Sequence, residues 1–461
     1  MSKFLQPERL LIFCIIGLSF GVLFSTTGCN PKHREVNTNV LLITIDTLRA
    51  DHLGCYGYKR KTSPNIDRFA ATATLFVNTY CQMPTTTPSM ASILTSTYPR
   101  KHGLVKNGWR LSNSTPTLAE ILRKNGYITG AVVSAFPLDA AFGLNRGFDQ
   151  YDAEFAPDGF TFGHSMSWEG RYVTGAFDQR ADVATQKAIA WLKKNGSQKF
   201  FLWLHYFDPH TPYIPPEPYA SAFLKESTSE LERRVASYDG EILFTDEEVE
   251  KVLDYLRQQG IDSKTLIIIM SDHGEGLGQH GFMGHGPYLY DEQTRIPLLM
   301  RLPRVIPEGQ RIHALVESID ISPTVLDLLG LKAEKSFSGQ SLVPVITNPE
   351  KAADRPAFLE RRKYDTDRFL GIDVTGENFA LRYGNMKYIW APTQAREELY
   401  DLTSDPGELA NIVDNSHSDL VQDMRQRIRA WKANQEVGSK IKTQTMDQDT
   451  RDKLRSLGYI D

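Results

Sequence analysis

Short, nearly continuous apolar runs recur along the chain and predict strands that are buried on both faces. These runs are "NVLLITID" (39–46), "YITGAVVS" (127–134), "KFFLWLHYF" (199–207), "TLIIIMSD" (265–272) and "IPLLMRL" (296–302). Helical patterns lie between them, at 63–74, 115–126, 178–196 and 231–260. Strands that alternate with helices predict a large α/β domain built on a mostly parallel sheet.

Polar residues follow two of these predicted strands. Asp46 ends the first, while Asp272 and His273 end the fourth. Ligands of such sheets gather beyond the carboxyl ends of the strands, so two carboxylates and an imidazole are expected there together. With the hydroxyl of Thr86 they form a four-ligand set for one divalent cation, and Zn²⁺, Mn²⁺ and Ca²⁺ all stay open. The alternative for "SDHG" is a plain turn, in which Asp and Gly are common.

The stretch "PTTTPSMASILT" (84–95) supplies the hydroxyl and allows two interpretations. In one, Thr and Ser side chains only cap a helix that begins at Pro88. In the other, a metal lowers the pKa of the Thr86 alcohol and makes it a nucleophile, while the helix N-terminus attracts an anionic substrate.

Histidines cluster in the segments that follow the predicted strands. The segment "LHYFDPHTPYIPP" (204–216) holds His205 and His210, and "GQHGFMGHGPYLYDEQTRIP" (278–297) holds His280 and His285. With His273 these are five of the 11 histidines of the chain. A single one would be explained as a hydrogen-bonded structural residue, but packing explains the clustering less easily.

Composition is ordinary for a globular protein, with 41% apolar and 23% charged residues. The formal net charge of −4 offers no basic face, so no nucleic-acid partner is expected. The helical pattern loosens after residue 331, and the chain is divided into 38–345 and a smaller α+β module with a polar tail, 346–461.

The first 29 residues are typical of a signal peptide. Lys3 and Arg9 precede an apolar run, Leu10 to Phe24, that is too short for a bilayer span. The sequence "STTGC" then resembles the lipobox of bacterial lipoproteins, which makes Cys29 the expected lipidation site. The alternative is an ordinary signal peptide or an uncleaved membrane anchor. In each case we expect an exported protein, in which Cys55 and Cys81 could pair.

A series of motifs resembles the sulfatase family of the alkaline phosphatase superfamily. In chain order they are "ITIDTLRADHLGCYGY", "TSPNIDRFA", "TTTPSMASILTSTYPRKHG", "HYFDPHTPY", "SYDGEILFTD", "SDHGEGLGQHG", "HGPYLYDEQTRIPLLMRLP", "IDISPTVLDLLG" and "ELYDLTSDPGELANI". The resemblance implies a central mixed sheet sandwiched by helices, followed by a smaller sheet with a packed helix. It also implies metal-dependent hydrolysis of sulfate or phosphate esters, including phosphonate esters and phosphodiesters.

The chain departs from that family at three places. Thr86 replaces the Cys or Ser that sulfatases convert to formylglycine, so no formylglycine is expected, and Met90 stands where an Arg would follow. Thr47 replaces the second carboxylate of the first motif. "AVVSAFPLD" replaces a Lys-Trp-His stretch, and His285 stands near the position of a second Lys. Relatives in the superfamily that use a threonine nucleophile nevertheless carry it at the position that corresponds to Thr86.

The resemblance then implies a mechanism and leaves alternatives open. Thr86 attacks the ester, His210 protonates the leaving group, and Asn107 and His285 hold the non-bridging oxygens. Small-molecule, glycan and lipid esters are all possible substrates. One alternative is a phospho-group transferase of the cell envelope, which would turn over lipid with little hydrolysis. The other is a catalytically inactive lipoprotein that binds glycans.

Overall fold

The computed structural model describes residues 37–155, 166–168, 171–173 and 178–435. All of them belong to one compact unit of the chain that begins at Val36. The predicted signal peptide, with Cys29, and the polar tail from Val437 lie outside the described residues. Among the described residues, no helix is both long enough and apolar enough to cross a bilayer.

The described residues form ten α-helices, α1 to α10 in chain order. They are Pro64–Ala70, Thr86–Thr95, Pro99–His102, Leu118–Lys124, Ala181–Asn195, Glu230–Gln258, Asp291–Thr294, Ile321–Leu328, Val343–Thr347 and Ser418–Asn434.

The same residues form eighteen strands, β1 to β18 in chain order. They are Asn39–Ile45, Thr74–Tyr80, Ile128–Val133, Gln150–Asp152, Met166–Trp168, Arg171–Val173, Phe200–Tyr206, Thr265–Ser271, Gly276–Leu277, Met283–Gly284, Arg295–Arg301, Arg311–Glu317, Ala357–Arg361, Arg368–Phe369, Ile372–Asp373, Asn378–Tyr383, Met386–Ala391 and Arg396–Asp401.

Eight of the strands form one large sheet in the order β12-β2-β11-β8-β1-β7-β3-β4. Strand β1 pairs in parallel with β7 and β8, and only β11 runs against both of its neighbours. The predicted mixed, mostly parallel sheet is therefore confirmed. All five predicted strands are present in it, as β1, β3, β7, β8 and β11.

Both faces of this sheet are covered by helices, because its central strands are apolar on both sides. Along β1, Val40 and Leu42 pack into one core together with helices α2, α4 and α8. Leu41 and Ile43 pack into a second core, with α1, α5 and α6 on the opposite face. This double burial is the reason why the strands appear in the sequence as unbroken apolar runs.

Three strands of the sheet, β2, β4 and β12, were not predicted. The helical pattern assigned to 63–74 was wrong at its end, since α1 stops at Ala70 and β2 starts at Thr74. Thr74, Phe76 and Val77 favour an extended backbone, because β-branched and aromatic side chains pack well on a pleated surface. Helix α2 also begins at Thr86, two residues before the predicted start at Pro88.

The chain ends in a smaller antiparallel sheet, in the order β13-β16-β17-β18. Helix α10 covers one face of it through Met424, Ile428 and Trp431. The other face carries Leu359 and packs against Tyr80 and Leu289, which belong to the large sheet and the segment before α7. The expected C-terminal sheet with a packed helix is confirmed. The division between residues 345 and 346 stays a prediction, and α9 spans that point.

Candidate active site

Two neighbouring strands of the large sheet deliver the predicted metal ligands to one place. Strands β1 and β8 pair in parallel with Ile45 opposite Ser271, so the residues that follow them emerge side by side. Ligand atoms of Asp46, Asp272 and His273 all lie within 4.8 Å of one another, and all three side chains are fully buried. The edge of a parallel sheet thus brings together groups that are more than two hundred residues apart in sequence.

Three of the four carboxylate oxygens of this triad have no hydrogen-bond partner among the described residues. Both oxygens of Asp46 and Oδ2 of Asp272 are buried without a hydrogen bond. Oδ1 of Asp272 accepts hydrogen bonds from the backbone N–H groups of Thr47, at 3.3 Å, and His273, at 2.8 Å. Burial, followed by repulsion from Asp272 and Glu275, raises the pKa of Asp46 well above its usual range. Buried carboxylates without partners are the arrangement that a bound cation neutralises.

His273 presents the lone pair of its Nε2 to the same place. Its Nδ1 lies 2.9 Å from the carbonyl oxygen of Gly274, which fixes the proton on Nδ1 in the neutral ring. Its Nε2 lies 3.4 Å from Oδ2 of Asp272 and 3.7 Å from Oδ1 of Asp46. Burial lowers the pKa of His273 to about 4, against the attraction of Asp272, so the imidazole is neutral near pH 7. One nitrogen and the unpartnered carboxylate oxygens therefore fit a divalent metal ion.

Thr86 is the hydroxyl residue of helix α2 that faces the triad. It is the first residue of the helix, it is buried, and its Oγ1 lies 3.4 Å from Nε2 of His273. Its neighbours are bonded elsewhere, since Thr87 Oγ1 donates to the carbonyl of Pro137 and Ser89 Oγ to that of Asp272, both at 2.7 Å. Thr85 occupies the N-cap position, but its side chain makes no capping hydrogen bond.

Asn107 contacts the same end of helix α2. Its Oδ1 accepts a hydrogen bond of 2.9 Å from the backbone N–H of Thr87, and this contact holds the amide at the N-terminus of α2. The side chain also lines the cavity into which Thr86 opens. Lys106, beside it in the chain, forms an ion pair of 2.5 Å with Asp365.

The rings of His210, His285 and His273 form a row of imidazoles, in which His285 lies between the other two. Ring centroids lie 4.4 Å apart for His273 and His285, and 5.1 Å apart for His210 and His285. His210 stacks on Phe207, and its Nδ1 lies 2.6 Å from the carbonyl of Thr211. Burial lowers the pKa of each of these two histidines to about 4, with repulsion between them adding to the effect at His210.

Two further buried groups complete the surroundings of the triad. Oε1 of Glu275 lies 3.4 Å from Nδ1 of His285, and burial raises the pKa of Glu275 to about 7. His205, inside β7, has no hydrogen bond at either ring nitrogen, and its Nε2 lies 3.8 Å from Oδ2 of Asp46. Glu275 was not singled out from the sequence, although it belongs to the quoted "SDHGEG" motif.

Other members of the predicted cluster lie elsewhere. His280 bonds to Oε1 of Glu292 at 2.8 Å and stacks on Tyr290 with 3.6 Å between ring centroids, so its partners are structural. Cys55 and Cys81 are free cysteines.

A cavity of about 360 Å³ opens in front of Thr86. Asn107, His210 and His285 line it near the hydroxyl. Its outer wall includes Arg234 from α6 and residues of the C-terminal segment that sequence reasoning missed. No motif marks that part of the wall, because its residues are ordinary apolar and charged side chains.

A buried hydroxyl at a helix N-terminus, beside two carboxylates and an imidazole that could hold a cation, is an arrangement suited to the hydrolysis of ester bonds. The family model of the sulfatases matches residues 38–331, well over half of the chain, and that of the C-terminal part of N-sulphoglucosamine sulphohydrolase matches residues 278–434. The chain therefore belongs to the sulfatase family, as the motifs predicted. Enzymes of this family are metal-dependent.

Named relatives share this similarity over most of their length. A sulfatase of Formosa agariphila is 28% identical, over 82% of this chain and 83% of its own length. An N-acetylglucosamine-6-O-sulfatase of Bacteroides thetaiotaomicron is 25% identical, over 86% of each chain. The crystal structure of a phosphonate monoester hydrolase of Agrobacterium radiobacter shares the fold with a TM-score of 0.72 at 22% identity, covering 87% of this chain and 96% of that one.

Proposed function

We propose that this protein hydrolyses sulfate or phosphate and phosphonate esters with Thr86 as its nucleophile. The position of the Thr86 hydroxyl carries the proposal: it lies 3.4 Å from Nε2 of His273, beside the carboxylates of Asp46 and Asp272, and opens into the cavity. A hydroxyl that served only as a helix cap would bond to the first turn of its own helix, which this one does not.

Asp46, Asp272, His273 and Thr86 would hold the metal ion. When bound, a divalent cation supplies positive charge that lowers the pKa of the Thr86 alcohol and attracts the ester anion. Nitrogen from His273 beside carboxylate oxygens suits Zn²⁺ or Mn²⁺ better than Ca²⁺, which prefers oxygen ligands alone.

The reaction proceeds in two displacements. Thr86 first gives its hydroxyl proton to solvent, and its oxygen then attacks phosphorus or sulfur in line, so that the bond to the leaving oxygen breaks and a covalent ester of Thr86 forms. Attack of water on this ester later breaks the bond to the Thr86 oxygen, which leaves as the alkoxide. His210 gives a proton to the leaving alkoxide, and later takes one from the water that releases the product and restores Thr86. His210 must be protonated for the first step. A bound anion, together with Glu275, favours that charged form and opposes the effect of burial.

Asn107 and His285 line the cavity beside Thr86 and are placed to bind non-bridging oxygens. The Asn107 amide oxygen is engaged with the backbone of α2, so its Nδ2 hydrogens remain for the substrate. Preorganised donors of this kind stabilise the charge that develops in the transition state.

Phosphorus esters are chemically favoured over sulfate esters. Formylglycine sheds its sulfate through a hemiacetal, whereas a sulfated threonine has no such route and must wait for attack by water at sulfur. Because relatives of this chain include sulfatases, one of which is named for a sugar sulfate, sulfate esters remain candidate substrates as well.

Turnover of four p-nitrophenyl substrates tests the proposal: the sulfate, the phosphate, the bis-phosphate diester and the phenylphosphonate. Each is assayed after metal removal and with Zn²⁺, Mn²⁺ or Ca²⁺ added back. We expect Thr86→Ala to lower kcat by at least ~10³-fold. Thr87→Ala, which removes the neighbouring hydroxyl, is the matched control and stays within about tenfold of the wild type, since that hydroxyl donates to the carbonyl of Pro137 and the backbone contact to Asn107 is kept.

Mass spectrometry of the acid-quenched reaction identifies the covalent step. A phosphate or sulfate group on the peptide that contains Thr86 supports the mechanism. Full activity of Thr86→Ala refutes it. Transfer of the group to a lipid or glycan acceptor without hydrolysis would favour the envelope transferase instead.

We also propose that the protein is exported and carries lipid on Cys29. The charged and apolar pattern of residues 1–29 supports this proposal. Incorporation of labelled palmitate that is lost in Cys29→Ala tests it. An unlabelled membrane fraction would instead indicate an uncleaved anchor.

A further inference from the structure

The cavity in front of Thr86 is polar at its inner end and apolar at its outer end. Its polar lining residues at the inner end are Thr85, Thr86, Asn107, His210 and His285. Farther out, the polar groups among the lining residues are Arg234, Thr211 and the hydroxyls of Tyr213 and Tyr364. Nδ1 of His210 already engages the carbonyl of Thr211. The leaving group of a bound ester therefore meets mainly aromatic and aliphatic side chains, with these few polar groups between them.

Aromatic side chains from two parts of the chain form much of the outer wall. Phe282, Tyr364 and Phe369 all line the cavity. Ring centroids lie 5.3 Å apart for Tyr364 and Phe369, and 6.5 Å apart for Phe282 and Phe369. The guanidinium of Arg362 lies 4.1 Å from the Tyr364 ring centroid and holds the ring through a cation–π contact. These contacts fix a continuous apolar surface.

A short hairpin places one more apolar side chain at the cavity mouth. Strands β14 and β15 are joined by Leu370 and Gly371, whose φ angles are +47° and +85°. Two left-handed residues in succession are typical of a type I′ turn, where Asn and Gly are favoured. A leucine there is unfavourable for the backbone, and it is also 59% exposed to water although it lines the cavity. Burial of Leu370 against a bound molecule would offset both costs.

A sugar leaving group fits this surface poorly. Its hydroxyls need donors and acceptors once water is removed, and unpaired polar groups weaken binding. An aryl or alkyl group needs only apolar area, which the aromatic residues and Leu370 provide.

We propose that the hairpin tip, Phe369 and Leu370, is a specificity element that selects esters with an apolar leaving group. This inference rests on the proposed hydrolysis at Thr86. It assigns the leaving group to the outer wall, while the anionic end of the substrate occupies the inner end beside Asn107 and His285.

Matched esters test the element. The probes are 4-propylphenyl and 4-(hydroxymethyl)phenyl methylphosphonate, together with the same two aryl sulfates. Their phenols have similar pKa values, so the intrinsic reactivity of each pair is nearly equal. Each fully buried methylene is worth about fourfold in binding. On a partly open wall, we expect the propyl ester to be favoured by at least ~10-fold in kcat/KM.

Leu370→Asn removes the apolar side chain and keeps the turn, because Asn adopts left-handed backbone readily. We expect this variant to lower the preference for the propyl ester to about twofold. Leu409→Asn is the matched control, since Leu409 is 78% exposed and does not line the cavity, and its preference should equal that of the wild type. Equal rates for both esters in the wild type, or an unchanged preference in Leu370→Asn, would overturn the proposal.

Calorimetry separates this proposal from the proposed function. The affinities of both methylphosphonates are measured with two proteins that carry Thr86→Ala, one with Leu370 and one with Leu370→Asn. Lack of turnover of every ester by the wild type would refute the function. The ratio of the two affinities, and its loss in Leu370→Asn, would still decide whether the wall binds apolar groups.

Discussion

Replacement of Asp46 by asparagine is expected to stabilise the protein relative to the wild type when metal is removed, and this advantage is expected to disappear when metal is present. Asp46 and Asp272 are fully buried, and three of their four carboxylate oxygens have no hydrogen-bond partner among the described residues. Asp46→Asn preserves the shape of the side chain and removes one of the two charges.

The size of the effect follows from the geometry. The ligand atoms of the triad lie within 4.8 Å, and two unit charges at that separation repel by about 3.5 kcal/mol at an effective dielectric constant of about 20. The gain should increase with pH. The pKa of Asp46 is raised in the folded protein, so its carboxyl favours folding at low pH and loses that contribution as pH rises through the folded pKa.

The free energy of unfolding of both proteins is measured with urea at pH 5.5 and pH 8.5, in EDTA and with Mn²⁺ or Zn²⁺. In EDTA at pH 8.5, we expect Asp46→Asn to be about 2–3 kcal/mol more stable than the wild type, with a smaller gain at pH 5.5. Metal at 100 times its dissociation constant should stabilise the wild type by about 2.7 kcal/mol and the variant by much less.

Asp239→Asn is the matched control, because this carboxylate is equally buried but has partners. Asp239 lies 2.7 Å from His52 Nδ1 and accepts hydrogen bonds of 2.8 Å from Tyr58 and Arg60. Its substitution should destabilise the protein by about 3 kcal/mol with or without metal. The reasoning about Asp46 fails if Asp46→Asn lowers stability in EDTA, or if metal stabilises the variant as much as the wild type.

Two further predictions concern the structure around the site. Asp208 and Glu241 are buried carboxyls that interact with each other, and burial raises the pKa of Asp208 to about 6. The stabilisation that depends on the protonated carboxyl is lost as pH rises through 6. Exchange of the Ile214 amide, which donates to Glu241 at 2.7 Å, should therefore speed up beyond its intrinsic pH dependence between pH 5 and pH 8. Gly130→Ala should cost about 2–3 kcal/mol in urea unfolding, because its Cβ would lie 2.3 Å from the buried Trp191 ring.

Controls for these two predictions come from the same chain. Glu241→Gln should remove the pH dependence of the exchange, and an unchanged profile would contradict the shared-proton explanation. Gly126→Ala has open space around the new methyl group, and only its φ of +78° disfavours the substitution, by about 1 kcal/mol. An equal cost at both glycines would show that the indole ring moves aside.

Much of the scaffold could be predicted from local pattern. Runs such as 39–46 and 265–272 are apolar throughout because both faces of the sheet are covered, and this burial leaves a signal in the sequence. The rule that ligands collect beyond the carboxyl ends of parallel strands then predicted that Asp46 and Asp272 would lie together. Strands β2, β4 and β12 were missed, because they belong to the sheet only through their pairing with other strands.

The sequence by itself determined the strand ends that carry Asp46, Asp272 and His273, and it identified the family through ordered motifs. Pattern and the family resemblance also named Thr86, His210 and His285 for the site, but they gave no distances. The tertiary structure placed Thr86 and His285 beside the triad and His280 against Tyr290. Only the tertiary structure decided the outer wall of the cavity. That wall joins Phe282 to Phe369 across two parts of the chain, and a contact between ordinary apolar residues leaves no pattern in the sequence.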